Sequence, residues 1–203
     1  MTTKFDETVK YVSSDEGLLD AIGKRWSPRS FADKPISAEQ LKTIFTAASW
    51  AASSYNEQPW RIIIGIKGTP VWEKIFNALV PPNQVWTKTA PVLFATVAKK
   101  TFAKNGKPNR HAMHDVGAAS ATLALQAASM NLHAHGMAGF DTETLRAEFK
   151  IPDDFEPVAC WALGYLGDPE SLPEQLRNLE LSKRERKDLP EFLFGEWGKP
   201  AKF

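Results

Sequence analysis

Apolar residues along the chain alternate between blocks with helical spacing and short continuous runs. The clearest helix signal begins at Ser37, because Ser37 and Gln40 have the spacing of a capping box, in which each side chain bonds the backbone N–H of the other residue. The apolar residues that follow recur at steps of three and four: Leu41, Ile44, Phe45, Ala48 and Ala52. This spacing predicts a helix with one apolar face, which stops at the polar turn 53–59.

Other segments carry helix signals of different kinds. Residues 17–24 could form a short helix, and Thr69 and Pro70 suit the N-cap and first position of a helix that residues 81–83 should break. Residues 111–132 are rich in alanine and apolar almost all round, so we expect a long helix that is buried on more than one side.

The remaining regular elements are shorter. Residues 136–139 should end the alanine-rich segment, and Asp141 is the expected N-cap of a helix that runs through Phe149. Three short apolar runs predict buried strands: residues 60–66, 91–97 and 157–164. Residues 99–110 are polar and predict an exposed loop. The mixture indicates an α+β or α/β domain, since periodicity alone does not fix the topology.

Composition limits the class of protein. The chain has 203 residues, 43% hydrophobic and 24% charged, which is typical of a globular protein and sufficient for a single domain over 1–203. The formal net charge of +1 provides no overall field that would draw the chain to nucleic acid or to an anionic membrane. The lone cysteine, Cys160, excludes an internal disulfide, and its apolar neighbours indicate a buried structural thiol rather than a nucleophile.

Targeting signals are not apparent. Residues 1–10 lack a basic segment followed by an apolar run, so we expect no signal peptide. No uncharged apolar stretch approaches the roughly 20 residues of a membrane span. With the lone cysteine, these features predict a soluble cytoplasmic protein.

Nucleotide and metal motifs are weak. No G-x-G-x-x-G follows a predicted strand and no G-x-x-x-x-G-K-[ST] occurs, which argues against Rossmann and P-loop proteins. The four histidines are His111, His114, His133 and His135. His111 and His114 could share a metal with Asp115, but three well-placed ligands are needed, so we interpret the histidines as polar residues at helix ends and expect no metal site.

An arginine pair near the N-terminus has the spacing of an anion clamp. Arg25 and Arg29 bracket the hydroxyl of Ser27, and guanidinium groups match the oxygens of a phosphate. Pro28 fixes one φ angle and so reduces the entropy lost on binding. The alternative is a solvated basic turn before a helix.

A second basic run occupies residues 183–188. It is either a solvated face, a nucleic-acid patch, or a partner for the same anion through Arg184 and Arg186. Alternating charges and the near-neutral chain argue against nucleic acid. The aromatic tail that follows should pack on this subunit or on a neighbour, because leaving it in water is unfavourable.

Several short motifs follow one another in a fixed order. They are Arg25-x-Ser27-x-Arg29-x-Phe31, Ser53-Ser54-x-Asn56-x-Gln58-Pro59-Trp60, Asn83 with Ala90-Pro91, Gly136-Met137-Ala138-Gly139-Phe140-Asp141, Glu156-Pro157-Val158 with Ala162-Leu163-Gly164-Tyr165, and Arg184-x-Arg186-Lys187-x-Leu189-x-Glu191. This series resembles the nitroreductase family of FMN-dependent oxidoreductases over about residues 18–193. Each motif is short, but their order is specific to the family.

The resemblance implies a role for each phosphate-side residue. Arg25, Ser27 and Arg29 would bind the FMN phosphate and ribityl chain, and Arg184 and Arg186 would close on the same phosphate.

It also implies the contacts of the flavin ring. Ser53, Ser54 and Asn56 would reach the flavin from the partner subunit, and Asn83 would contact its pyrimidine edge. The backbone of Ala138 and Gly139 would pass flavin N5.

Two positions depart from the family pattern. Ala138 stands where many members have Glu, which could change substrate choice more than FMN binding. Trp86 stands near Asn83 where some relatives carry Lys, which leaves nicotinamide preference open.

The resemblance further implies an α+β fold with a central, mostly antiparallel sheet flanked by helices, in an intertwined homodimer. The helix at 111–132 would lie in the interface, and the tail, about 184–203, would extend onto the partner. The implied activity is transfer of electrons from NAD(P)H through FMN to nitroaromatics, quinones or activated alkenes. The alternatives are a flavin-binding sensor or flavin-handling protein of the same fold, and a non-flavin domain that binds another anion.

Overall fold

The computed structural model describes residues 10–12 and 17–202. Its helices are α1 (Asp20–Lys24), α2 (Ala38–Ser49), α3 (Pro70–Ala78), α4 (Pro81–Thr87), α5 (Ala112–Ser129), α6 (Thr142–Phe149) and α7 (Glu174–Leu181). Its strands are β1 (Trp60–Ile66), β2 (Val92–Lys99), β3 (His133–Met137), β4 (Phe155–Gly164), β5 (Phe194–Glu196) and β6 (Lys199–Pro200). Single 3₁₀ turns lie at Ser54–Asn56, Pro169–Ser171 and Leu189–Glu191.

A four-stranded antiparallel sheet forms the centre of the fold. Its order is β1-β2-β4-β3, and each neighbouring pair is antiparallel. Alternate residues of β2 enter two different apolar clusters: Leu93 faces α3, α4 and α6, whereas Phe94 faces α2 and α5. Both faces of the sheet are therefore covered by helices. The α+β fold with an antiparallel sheet, implied by the resemblance, is confirmed.

The predicted helix starts are confirmed by their caps. In α2, Gln40 N donates to Ser37 Oγ and Ser37 N donates to Gln40 Oε1, both at 3.1 Å. Thr69 Oγ1 accepts from the backbone of α3, with Pro70 at its first position. Asp141 Oδ1 accepts from Thr144 N at 2.7 Å and begins α6.

Several local predictions were incomplete. Residues 81–83 do more than end α3, because Pro81 opens α4, where a proline suits the first helical position. The sequence pattern predicts no strand at residues 133–137, yet this segment pairs with β4 as β3. The strand β1 was expected to be buried, but it lies at the sheet edge and leaves Ile64 37% exposed.

The alanine-rich helix α5 is buried on one broad side only. It packs on α2 and on the sheet through residues such as Ala119 and Leu123. On its outer side Met113, Gly117 and Ala121 are exposed, at steps of four residues. Burial on more than one side is therefore wrong for the single chain.

The C-terminal tail does not cover its aromatic residues with its own subunit. Strands β5 and β6 form a small hairpin against the turn at 189–191. Trp197 is 95% exposed and Phe192 is 57% exposed, so packing of the tail on this subunit is excluded for these side chains. Within residues 10–12 and 17–202, no helix combines the length and apolar character needed to cross a bilayer.

Candidate functional site

A basic pocket of about 280 Å³ lies where the two ends of the described chain meet. Every ionisable side chain that lines it is a base: Lys10, Arg25, Arg29, Lys183, Arg184 and Arg186. Ser27 adds its hydroxyl, which accepts from Arg25 Nη1 at 3.5 Å. The structure thus brings together both basic motifs singled out in the sequence. None of these bases forms an ion pair with a carboxylate of the described residues.

The first motif can line the pocket because residues 25–30 follow an alternating path. Trp26, Pro28 and Ser30 are buried, while Arg25, Ser27 and Arg29 are partly exposed or exposed and line the pocket, which Trp26 also borders. In an extended segment successive side chains point to opposite sides, so an Arg-x-Ser-x-Arg spacing places all three polar side chains together. We call residues 25–30 the clamp segment.

Strand β3 supports the buried side of the clamp segment. The ring of Trp26 packs edge-on against His133, with centroids 5.9 Å apart. His135 Nδ1 lies 2.8 Å from the carbonyl oxygen of Pro28. Because that carbonyl can only accept, Nδ1 carries the proton and the neutral ring keeps Nε2 as an acceptor.

The second basic motif is tied to the N-terminal region. Arg184 Nη1 donates to the carbonyls of Lys10 at 2.9 Å and Gly23 at 2.7 Å. Lys10 Nζ in turn donates to the carbonyls of Leu179 and Ser182, which end α7. Part of the basic cluster is therefore structural and joins residues from both ends of the chain.

The bases in the pocket repel one another. The pKa of Arg25 is lowered by burial and then by Arg186, and the pKa of Arg184 is lowered by burial and then by Arg25 and Arg186. A bound anion would relieve this repulsion, so the electrostatics of the pocket favour an acidic ligand.

Asn83, Ala138 and Gly139 meet at the other end of β3. Asn83 Nδ2 donates to the carbonyl of Gly139 at 2.9 Å, and Val80 N donates to the same oxygen at 3.1 Å. A Cβ at Gly139 would lie 2.8 Å from Asn83 Nδ2, so a larger residue here would displace the Asn83 side chain. Within the described residues, nothing donates to Asn83 Oδ1. The amide carbonyl of Asn83 is therefore free to accept from a ligand.

The turn at 53–58 does not line the basic pocket. Tyr55, Asn56 and Gln58 all have positive φ, at 53°, 57° and 48°, a conformation that side chains rarely adopt. A buried carboxylate stabilises the turn, because Asp115 Oδ2 accepts from Ser54 N at 2.9 Å. Such strain is typical of functional segments. In one chain, however, the turn and the clamp segment are separate.

Known proteins resemble this chain in sequence and in structure. A family model described as the nitroreductase family matches residues 22–69 and 70–165. The chain belongs to the nitroreductase family.

Individual relatives agree with this membership. A crystal structure described as the oxidoreductase containing FMN is 34% identical, covers 93% of this chain and 96% of its own, and superposes with a TM-score of 0.85. A Polynucleobacter asymbioticus protein, provisionally named NADH dehydrogenase/NAD(P)H nitroreductase, is 28% identical over 82% of this chain and 93% of its own length. An uncharacterised 15.4 kDa protein of Mycolicibacterium smegmatis is 45% identical over 45% of this chain and 62% of its own length.

The two departures from the nitroreductase pattern have different structural consequences. Trp86 is only 3% exposed, stacks on Phe31 with centroids 6.2 Å apart, and lies 4.5 Å from the His135 ring. The side chain of Trp86 is part of the hydrophobic core. It therefore cannot offer the exposed positive charge that a Lys at this position would offer. Ala138 is exposed beside Gly139 and offers no side-chain carboxylate there.

The interpretation of all four histidines as helix-end residues is wrong for two of them. His133 and His135 lie in β3, and burial lowers the pKa of each to about 4, with Arg25 and Arg29 nearby adding to the effect on His135. The described residues contain no group of three or more His, Cys, Asp or Glu side chains that could hold a metal ion. Cys160 is buried, and burial raises the pKa of its thiol to about 12, which confirms the structural interpretation.

Sequence reasoning missed three residues that shape the site. Lys10 lines the pocket, Glu180 binds the backbone of the clamp segment, and Asp115 binds the turn at 53–58. The contacts described for them span 61 to 174 residues in the sequence, so no local pattern could have identified them.

The buried histidines predict a loss of stability in mild acid. Between about pH 6.5 and pH 4 the unfolded chain binds protons at His133 and His135 that the folded chain does not, so the free energy of unfolding falls as the pH falls. Each histidine contributes up to about 1.4 kcal/mol per pH unit in this window. Urea unfolding at several pH values measures the slope.

A histidine variant separates the contribution of the histidines to this pH dependence from the contribution of carboxylates. His135→Asn keeps a side-chain donor for the Pro28 carbonyl but does not titrate, so it should flatten the slope. His111→Asn, at an exposed position, is the matched control. The same slope in all three proteins would contradict the assignment.

Proposed function

We propose that this protein is an FMN-dependent oxidoreductase that transfers electrons from NAD(P)H to small acceptors. The observation that carries the proposal is the basic pocket formed by Arg25, Ser27, Arg29, Arg184 and Arg186, on the scaffold of a nitroreductase-family chain. A phosphate monoester carries between one and two negative charges at neutral pH, and the pocket offers a hydroxyl and bases that form no ion pair with a carboxylate of the described residues.

Two unsatisfied donors support an anionic ligand in this pocket. Trp26 Nε1 and Arg184 Nε are buried without an acceptor among the described residues, and both residues line the pocket. Buried donors normally have a partner, so their unpaired state fits a site that is completed by a ligand oxygen. The residues present therefore fit the phosphate end of FMN.

Two contacts of this part of the chain support an elongated ligand. His135 in β3 contacts the clamp segment, and Gly139, two residues past the end of β3, contacts Asn83. In the proposed complex the phosphate lies in the basic pocket, Asn83 binds the pyrimidine edge, and the backbone of Ala138 and Gly139 orients the ring near N5.

The flavin, when bound, supplies the two-electron chemistry, and the protein contributes binding and orientation. The names of relatives and the FMN-containing neighbour support NAD(P)H as donor and an oxidoreductase reaction. Nitroaromatics, quinones or activated alkenes are the proposed acceptors. Donor and acceptor would use the same open side of the ring in turn. We propose that the reaction takes place in the cytoplasm.

The visible absorption spectrum tests this function. We expect the purified protein, or the protein incubated with FMN, to show flavin bands near ~450 nm that bleach when NADH or NADPH is added without oxygen. Bands that persist with both donors would favour a flavin-binding sensor or handling protein. A colourless protein after incubation with FMN would contradict flavin binding altogether.

Substitution of the clamp arginines tests the phosphate site. Arg25→Ala with Arg29→Ala removes two charge-assisted contacts, each worth about 1.5–3 kcal/mol, so FMN affinity should fall by at least roughly a hundredfold. Titration of flavin fluorescence measures the dissociation constant. Arg110→Ala, an exposed change in the loop before α5, is the control. Unchanged affinity in the double variant would rule out the clamp assignment.

We further propose that the protein is a homodimer in which the turn with Ser53, Ser54 and Asn56 reaches the partner's flavin. Three observations support it: the exposed outer side of α5, the exposed aromatic tail, and the separation of the strained turn from the basic pocket of its own chain. The tail over about 184–203 would then cover its aromatic residues on the partner.

Sedimentation of an interface variant tests the dimer. Ala121→Glu places a charge on the outer side of α5, so we expect a shift from dimer to monomer and weaker FMN binding. Glu39→Gln changes an exposed residue on α2, and its sedimentation measures how far that helix contributes to the dimer. A wild-type protein that sediments as a monomer with FMN bound would contradict the arrangement.

A further inference from the structure

A buried carboxylate that does not itself line the pocket bonds the backbone of the clamp segment. Glu180 Oε1 accepts from Arg29 N at 3.0 Å and from Ser30 N at 2.9 Å, and Oε2 accepts from Arg29 N at 2.9 Å. The residue is 1% exposed, so water does not compete for these bonds. Glu180 lies at the end of α7, 151 residues from Arg29.

The charge of Glu180 is at first sight unfavourable for the site. A carboxylate next to a pocket that binds an anion weakens that binding by repulsion. Burial raises the pKa of Glu180, while the N–H groups of Ser30 and Arg29 and the charges of Arg29 and Lys10 oppose this. A buried charge is retained at such a place only if its hydrogen bonds matter.

The bonds of Glu180 fix which groups of the clamp segment face the ligand. With the N–H groups of Arg29 and Ser30 occupied by the carboxylate, these backbone donors are not available to a phosphate. The alternating path then directs the side chains of Arg25, Ser27 and Arg29 into the pocket. An anion in the pocket would therefore bind side chains rather than these backbone N–H groups. The Glu180 carboxylate, which bonds the backbone of the same segment, would help to set the positions of those side chains.

We propose that Glu180 is a positioning residue for the phosphate clamp, holding residues 25–30 in the ligand-binding conformation before the ligand arrives. This rests on the proposed FMN site. Preorganisation of this kind raises affinity because less conformational entropy is lost on binding. The nearby bond from Ser30 Oγ to the carbonyl of Asp168, at 2.7 Å, supports the fold of the same segment without contacting Glu180.

The sign of the effect of Glu180→Gln distinguishes positioning from charge. Removal of a negative charge alone would tighten FMN binding. Loss of positioning, with an amide NH₂ now facing the N–H of Arg29, should weaken FMN binding roughly tenfold or more. Glu174→Gln, an exposed change with the same charge difference on the same helix, is the matched control and should bind FMN as wild type.

Further readouts separate positioning from general damage to the fold. At saturating FMN the visible spectrum of Glu180→Gln should match wild type, because the ring contacts at Asn83 are unaltered. Glu180→Asp keeps the charge with a shorter side chain and should recover part of the affinity. Equal or tighter binding by Glu180→Gln, or an altered flavin spectrum, would overturn the proposal.

A measurement on the unaltered protein applies even if the variants fail to fold. In the ligand-free protein, NMR hydrogen exchange should show protected amides at Arg29 and Ser30, and FMN should add little to their protection. Rapid exchange there without FMN would overturn the positioning role. If wild type shows the protection but binds no FMN, the function proposed above fails while the contact itself is verified.

Discussion

Repulsion between like charges is the constraint on which the site depends. Burial and the neighbouring arginines lower the pKa of Arg25 and of Arg184, so these side chains would move apart unless other contacts fixed their backbones. Those contacts are buried or partly buried: Trp26 against His133, the Pro28 carbonyl with His135, and the carbonyls of Lys10 and Gly23 with Arg184. The apolar sheet and helices supply the stability that this arrangement uses. The repulsion between these arginines is a local strain, and the stability of the rest of the fold offsets it.

Local sequence signals predicted the elements whose causes are local. The capping pair Ser37 and Gln40 and the cap residue Asp141 were sufficient, because the bonds they form span three residues. The side chains of Arg25, Ser27 and Arg29 line one pocket, as their alternate spacing predicts, and their role in binding an anion stays a prediction. What these arginines bind had to come from the family resemblance, because a basic turn at the surface has the same local sequence.

Elements stabilised by distant contacts could not be predicted in the same way. Strand β3 has only five residues, including two histidines and a glycine, and it is a strand because β4 pairs with it. Its Gly136 is required by Trp161 of β4, whose ring atoms would lie 2.8 to 3.0 Å from an added Cβ. Glu180 likewise looks like an ordinary surface residue of a short helix until the clamp segment is placed against it. These omissions share one cause, which is that tertiary contacts determine them.

The position of the basic pocket in the chain also constrains when it can form. Its contacts join residues 151 to 174 positions apart, so the pocket closes only after the C-terminal region has been synthesised. The four strands of the central sheet end at Gly164, so they are synthesised before residues 174–186. The pocket would then be among the last parts to become ordered. A chain that lacks residues 174–186 would therefore lose Glu180, Arg184 and Arg186, which hold or line the pocket.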